Sequence, residues 1–219
     1  MSVWGQVFAA IYDRLLARTE RAGLADHRQA LLATAAGDVL EIGGGTGANL
    51  PFYGDRVSSL TVTEPEEPMA RRLRARIDGC RPGTSLLGAS AEDLPFDDDS
   101  FDVVVSTLVL CTVDDQQRAL RELQRVLRPG GKLLFIEHVR SDDARLARWQ
   151  DRLMPLNLRF AHGCRCNRET LSGIRSAGFS VSEVAHDTLK HAPPIVRPLI
   201  VGVAEASATS GPGGGERAA

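Results

Sequence analysis

Val39-Leu40-Glu41-Ile42-Gly43-Gly44-Gly45-Thr46-Gly47-Ala48-Asn49 joins an apolar run to a stretch read as helical. A strand that runs into several glycines and then a helix lets a ligand lie against bare backbone, with helix N-terminal N–H groups facing it. That is the arrangement of a nucleotide-cofactor site. The next apolar run, Leu60-Thr61-Val62-Thr63-Glu64, ends on an acid. Its distance, about 20 residues further on, is the spacing at which a carboxylate reaches ribose hydroxyls in doubly wound folds.

Working outward from this pair, apolar runs at 38–42, 60–63, 84–87, 101–106, 132–137, 181–185 and 199–206 read as strands. Apolar residues at helical spacing mark helices at 5–18, 67–77, 115–127, 144–154 and 170–177. The alternation predicts an α/β fold with a mostly parallel sheet. Asp114 and Asn167 or Arg168 stand near two helix starts, and Arg128-Pro129-Gly130-Gly131 stops a helix and turns the chain into a strand. A chain of 219 residues suits one domain, expected over 1–206 with N-terminal helices in 1–36. Without periodicity and with Gly213-Gly214-Gly215, 207–219 is expected to be a disordered tail.

The charge balance, 26 basic against 28 acidic residues for a net of -2, shows no footprint for nucleic acid or an acidic membrane face. Small-molecule chemistry is expected instead. No signal peptide is legible and no apolar run approaches the ~20 residues of a membrane span, so a cytoplasmic protein without a stable membrane anchor is expected. Monomer and homodimer both stay open. Cys80, Cys111, Cys164 and Cys166 are too scattered for a disulfide framework. Cys164-x-Cys166 beside His162 lacks a second ligand pair, so no metal is expected. Cys111 reads as core and the two loop cysteines as partly exposed.

Glu41 to Gly47, Glu64, Ala91-Glu92-Asp93-Leu94-Pro95-Phe96, Phe101-Asp102-Val103-Val104 and Leu127-Arg128-Pro129-Gly130-Gly131 together resemble, in order, the motif set of class I S-adenosylmethionine (SAM) dependent methyltransferases. Val104 to Val113, Glu137-His138-Val139, Trp149-Gln150, Gly163-Cys164 and Asn167-Arg168-Glu169-Thr170 are similar to the methyltransferase-like thiol S-methyltransferases of animal membranes. More loosely they are similar to the ubiquinone and menaquinone C-methyltransferases. Glu64 stands where many relatives carry Asp, and no counterpart of the animal enzymes' N-terminal anchor is expected. The resemblance implies a Rossmann-like seven-stranded sheet, mostly parallel with the last strand antiparallel, helices on both faces and N-terminal lid helices. It implies SAM as cofactor and S-adenosylhomocysteine as product.

The resemblance also implies roles. Gly43, Gly45 and Gly47 admit the methionine and ribose portion of SAM, with Asn49 beside them and Glu41 near the cofactor's positive end. Glu64 and Pro65 meet the ribose, Met69 the adenine face, and Glu92, Asp93 and Leu94 the adenine edge. Ser106, Thr107 and Leu108 border the sulfonium, and Tyr12 closes over it. Each has a plainer reading: Glu41 paired with a local base, Glu64 a solvated turn acid, Met69 core, Asp93 a helix-terminus charge, Tyr12 on a helix packed against the sheet. His138, ending the fifth strand, is the candidate base or else a hydrogen-bonded structural residue. Cys111, Trp149, Met154 and Cys164, with Leu153 and Leu158, line an acceptor pocket near Arg168, or else pack between helix and sheet.

The expected activity is methyl transfer to the thiol of a small apolar molecule, capping a metabolite or detoxifying it. Three alternatives stay open: transfer to carbon, oxygen or nitrogen of a quinone, phenol or lipid amine; a nicotinamide-dependent oxidoreductase, for which a Tyr-x-x-x-Lys pair is missing; and a SAM-binding module without turnover.

Overall fold

A computed structural model describes residues 12–14, 16–160 and 163–207. The helix expected over 5–18 and the tail expected over 207–219 fall mostly outside these. The chain enters as helix at 12–14 and 16–19, passes a π-helical turn Glu20–Leu24 kinked at Gly23 (φ 136°), and continues as α1 (Ala25–Leu32). It then alternates through β1 (Gly37–Ile42), β2 (Val57–Thr63), α2 (Glu67–Cys80), β3 (Ser85–Leu87), β4 (Phe101–Thr107) and α3 (Gln116–Val126). β5 (Leu127–His138), α4 (Ala144–Phe160), α5 (Thr170–Ser176), β6 (Phe179–Thr188) and β7 (Pro198–Ala206) complete it.

The strands form one seven-stranded sheet in the order β3-β2-β1-β4-β5-β7-β6. β1 to β5 run parallel, and β7 enters antiparallel between β5 and β6. The period of two along each strand divides the apolar residues between two layers. Leu40, Ile42, Val104, Leu133 and Phe135 face α3 and α5 through Leu120, Leu123 and Ile174. Val39, Val103, Val105, Leu134 and Ile136 face the other layer, where Leu24, Leu32, Leu73 and Ile77 pack. Because the chain winds outward from β1 to β3 and then returns to β4, the strand order reverses between β1 and β4, and the crevice where such sheets take ligands is the one beyond their carboxyl ends.

Three local expectations are corrected. No α-helix follows the glycine loop: turns lead to a 3-10 turn, Leu50–Phe52, because Pro51 lacks an N–H and Gly54 follows. The helix stops before Arg128 as expected, but the strand expected over 132–137 starts already at Leu127, so residues 128–131 lie inside β5, whose register slips opposite Phe101 and Val103 to absorb them. Cys164 and Cys166, expected partly exposed, are buried with Cys111 beneath Met154.

Candidate active site

The glycine loop caps the end of β1. Gly43, Gly45 and Gly47 all take positive φ, the left-handed region where a side chain is strained. Added Cβ atoms at Gly43 and Gly47 would stand 2.7 Å from Val109 and 2.9 Å from Leu50 and Leu73. At Gly45 a Cβ would meet nothing within 4 Å, so this is the glycine whose bare backbone faces open space. Its N–H donates to Glu64 Oε2 at 2.7 Å, while Glu64 Oε1 accepts from Glu66 N–H at 2.9 Å. Burial raises the Glu64 pKa, and those two backbone donors hold it partly back. The longer side chain at 64 has thus folded back onto the loop, and Pro65 beside it is exposed.

Behind the loop lies a buried polar chain. Glu41, 3 % exposed, accepts from Tyr53 Oη at 2.7 Å and Asn49 Nδ2 at 3.0 Å. Asn49 Oδ1 accepts from Arg28 Nη1, and Arg28 also binds Glu20. Burial pushes the Glu41 carboxyl up to about 7, against the lowering pull of Tyr53, Asn49 and Arg28. The local-base reading of Glu41 is corrected: it reaches arginine only through an amide. Arg28 and Tyr53 were not legible as site residues, since an arginine is exposed by default.

The N-terminal segment closes on this loop. Asp13 accepts from Thr46 Oγ1 at 2.6 Å and from Arg76 Nη2 at 3.0 Å, clasping the helical turn to the loop and to α2. Tyr12 packs against buried Met69, and burial pushes its hydroxyl up to about 12.

At the ends of β4 and β5 alternate residues part company. Thr107 Oγ1 accepts from Asn49 Nδ2 at 3.1 Å, on the glycine-loop side. Ser106 points to the opposite layer and donates to Glu137 at 2.6 Å, so its hydroxyl does not border the crevice as expected. Glu137, fully buried, also accepts the N–H groups of Val109, Leu110 and Cys111 and thereby fixes the loop after β4, in which Leu108 takes φ 60°. His138, one residue on, faces the other layer, its buried Nδ1 without a partner among the described residues. Burial drags its pKa from 6.5 down to about 4, with the carbonyls of Pro198 and Val196 pulling back only in part.

The acceptor-side residues divide. Cys111 and Cys164 stand 3.8 Å apart, sulfur to sulfur, with Met154 and Ile195 packed on them. The hydrogen bond to Cys164 and burial hold the Cys111 thiol up, and burial pushes Cys166 up to about 12. Trp149 stands apart from this cluster: it is 50 % exposed on the outer face of α4, whose inner face is taken by Ala147, Gln150 and Met154. Arg168 does not steer a ligand, since its guanidinium donates to the carbonyls of Leu110 and Asp114 at 2.7 and 3.0 Å. Glu92 is corrected likewise, being spent on Asp115 N–H and Ser90 Oγ. Asp93 stays exposed beside buried Leu94, whose N–H is tied to Glu122 at 3.0 Å. Among the described residues no group of three or more His, Cys, Asp or Glu side chains is placed to hold a metal. His162 lies outside them.

Residues 40–135 match a family model described as a methyltransferase domain. Thiol S-methyltransferase TMT1A of Homo sapiens is 34% identical over 200 residues, which cover 90% of this chain and 82% of that protein. This chain belongs to the class I SAM-dependent methyltransferases. A solved Thermotoga maritima SAM-dependent methyltransferase, described as a possible histamine N-methyltransferase, superposes with a TM-score of 0.69 at 26% identity, covering 94% of this methyltransferase and 100% of that chain. A phosphatidylethanolamine N-methyltransferase of Cereibacter sphaeroides is 36% identical over 112 residues, 51% of this chain and 55% of the relative. The cofactor of the methyltransferase is SAM, which supplies an electrophilic methyl on a sulfonium.

Proposed function

We propose that this methyltransferase transfers the SAM methyl to the thiol of a small apolar molecule. One observation carries the reading: the loop after Thr107 ends in a buried apolar cluster of Cys111, Cys164 and Cys166 under Met154 and Ile195, and Glu137 and Arg168, which act on Cys111, are already hydrogen-bonded to backbone. A cluster without a strong base suits an acceptor that ionises unaided. A thiol of pKa ~8.5 does so, whereas a phenol near ~10 does so far less. Anionic sulfur meeting a sulfonium loses charge in the transition state, so dry apolar surroundings favour that state over the separated ions. The likeness to a thiol S-methyltransferase over most of the chain supports the same choice.

Gly45, Glu64 and Glu41 are the residues we assign to the cofactor, with Thr107 and Leu108 at its methyl and Tyr12 over it. The fit rests on the open space beside Gly45 and on two buried carboxylates facing one loop. Transfer is an in-line displacement, so the chain's own work is to hold acceptor and methyl in line and keep water out.

Glu41 gives a pH dependence with a definite sign. With its pKa raised to about 7, it is half neutral at neutral pH, and a cation placed beside it favours the charged form. Cofactor affinity is therefore expected to rise as pH increases through about 7 and to level off above, with proton release on binding. Titration calorimetry in buffers of different ionisation enthalpy measures that release. Glu41→Gln should abolish it, and a release unchanged in this variant would remove Glu41 from the site.

His138 titrates near 4 and is neutral throughout the working range. The expected rate profile therefore shows no inflection from this ring between pH 6 and 8 and climbs instead toward the acceptor thiol's own pKa, ~8.5. His138→Asn should leave that profile's shape unchanged. An inflection near 6.5 that vanishes in the variant would restore His138 as the general base. The activity itself is tested by incubating the protein with SAM and a panel of alkyl and aryl thiols, phenols and amines. Thiol turnover is expected, and turnover of amines alone would favour the lipid-amine reading that the Cereibacter relative suggests.

A further inference from the structure

α4 carries a surface that the methyl-transfer chemistry does not use. Arg145, Arg148, Trp149, Arg152, Leu156 and Arg159 are all exposed, Trp149 by 50% and Leu156 by 56%. At 3.6 residues per turn these six fall within an arc of about 100°. The arginines take one flank and the tryptophan and leucine the other. None of the four arginines makes an ion pair among the described residues. Asp151, the helix's one acid, is already held by both Nη atoms of Arg140 at 2.7 and 2.8 Å. The net charge of -2 conceals this local concentration of positive charge.

We infer that the outer face of α4 docks on an anionic phospholipid surface. Charge complementarity selects the occupant: four unneutralised arginines beside an exposed indole and a leucine match the two layers of a bilayer interface, phosphate outside and acyl chain beneath. Arginine stems bury their methylenes while the guanidinium stays at phosphate level, and tryptophan settles at the headgroup boundary. Nucleic acid would use the arginines but leave Leu156 unpartnered. The opposite face of the helix packs inward. Gln150 Nε2 donates to the carbonyls of Val139, Cys166 and Ile195, and Met154 packs on the cysteine cluster. Docking therefore brings the cysteine cluster to within one helix diameter of the lipid, about 10 Å. The surface stands on exposure and charge alone, so it holds whichever acceptor atom is methylated.

Vesicle sedimentation with the full chain tests this. Binding to phosphatidylcholine vesicles doped with phosphatidylglycerol is expected, with little binding to phosphatidylcholine alone and loss of binding in high salt. In a Trp4→Phe background the emission of Trp149 should shift to the blue on anionic vesicles. Arg148→Glu and Arg152→Glu should each lower the partition coefficient by at least about fivefold. Trp149→Ser should remove the fluorescence response. Charge reversal at exposed Arg121 and Arg175, on other helices, should change nothing. Equal binding to both vesicle types, equal losses from the control reversals, or tighter binding of a DNA duplex or an acidic peptide to the same arginines would overturn the inference.

Discussion

Gly45→Leu is expected to abolish cofactor binding, by at least about a hundredfold in Kd, in a protein that still folds. The reason is an asymmetry within one loop. At Gly43 a Cβ would press into Val109 at 2.7 Å, so a substitution there damages the fold and says little about binding. At Gly45 the space is open, and the new side chain costs only the left-handed backbone, about 1–2 kcal/mol. In a domain of this size that lowers Tm by roughly 2–4 °C per kcal/mol. The leucine would fill the volume where ligand approaches bare backbone, next to the N–H that Glu64 holds at 2.7 Å. Thermal shift with S-adenosylhomocysteine reads both effects together. Wild type should gain about 2.7 kcal/mol at a hundredfold excess over Kd, and Gly45→Leu nothing. A variant that melts nearly as wild type and still responds to the ligand would show that the cofactor lies elsewhere.

Glu137→Ala should produce the largest loss of stability of any single change at the site. The carboxylate is fully buried and accepts a hydroxyl and three backbone N–H groups within 2.6–3.1 Å. Truncation leaves those donors unpartnered at about 1–3 kcal/mol each, part of it recovered where water enters the cavity. A loss of about 4 kcal/mol or more is expected, visible as a Tm lowered by roughly 10 °C in calorimetry. Glu137→Gln should lose less, because one oxygen keeps its donors while the amide faces an N–H. An alanine variant melting within roughly 3 °C of wild type would mean the loop after β4 is held by something else. Because that loop includes Leu108 at φ 60°, it has no conformational reason to keep its shape unaided.

The sheet was legible because its strands are apolar runs closed by turn residues, and the strand ends lie close to those runs except at β5, which starts at Leu127 rather than at Lys132. The glycine loop and the acid at 64 were legible because spacing alone brings them together across β1 and β2. What escaped is what depends on tertiary distance. Arg28 reads as one more exposed arginine, yet it is 4 % exposed and completes a polar chain to Glu41 from 13 residues upstream. Glu137 carried a signal that could have been read. Period-two alternation in Leu133-Leu134-Phe135-Ile136-Glu137-His138 assigns the acid to the layer of Leu133 and Phe135, where a charge demands several partners. The same alternation sends His138 to the other layer, where burial strips it of basicity. Trp149 and Arg168 misled because residue type suggested a ligand contact, while exposure in the first and two backbone carbonyls in the second decided otherwise.

Gln150 has a consequence for durability. Its one amide nitrogen fastens the loops at Val139, Cys166 and Ile195, while its oxygen accepts the N–H of Ser141 at 2.9 Å. Hydrolytic ageing of that amide to an acid would set an oxygen against three carbonyls, and the loops around the cysteine cluster would part. The shelf life of the fold is thereby tied to the dryness of a single side chain.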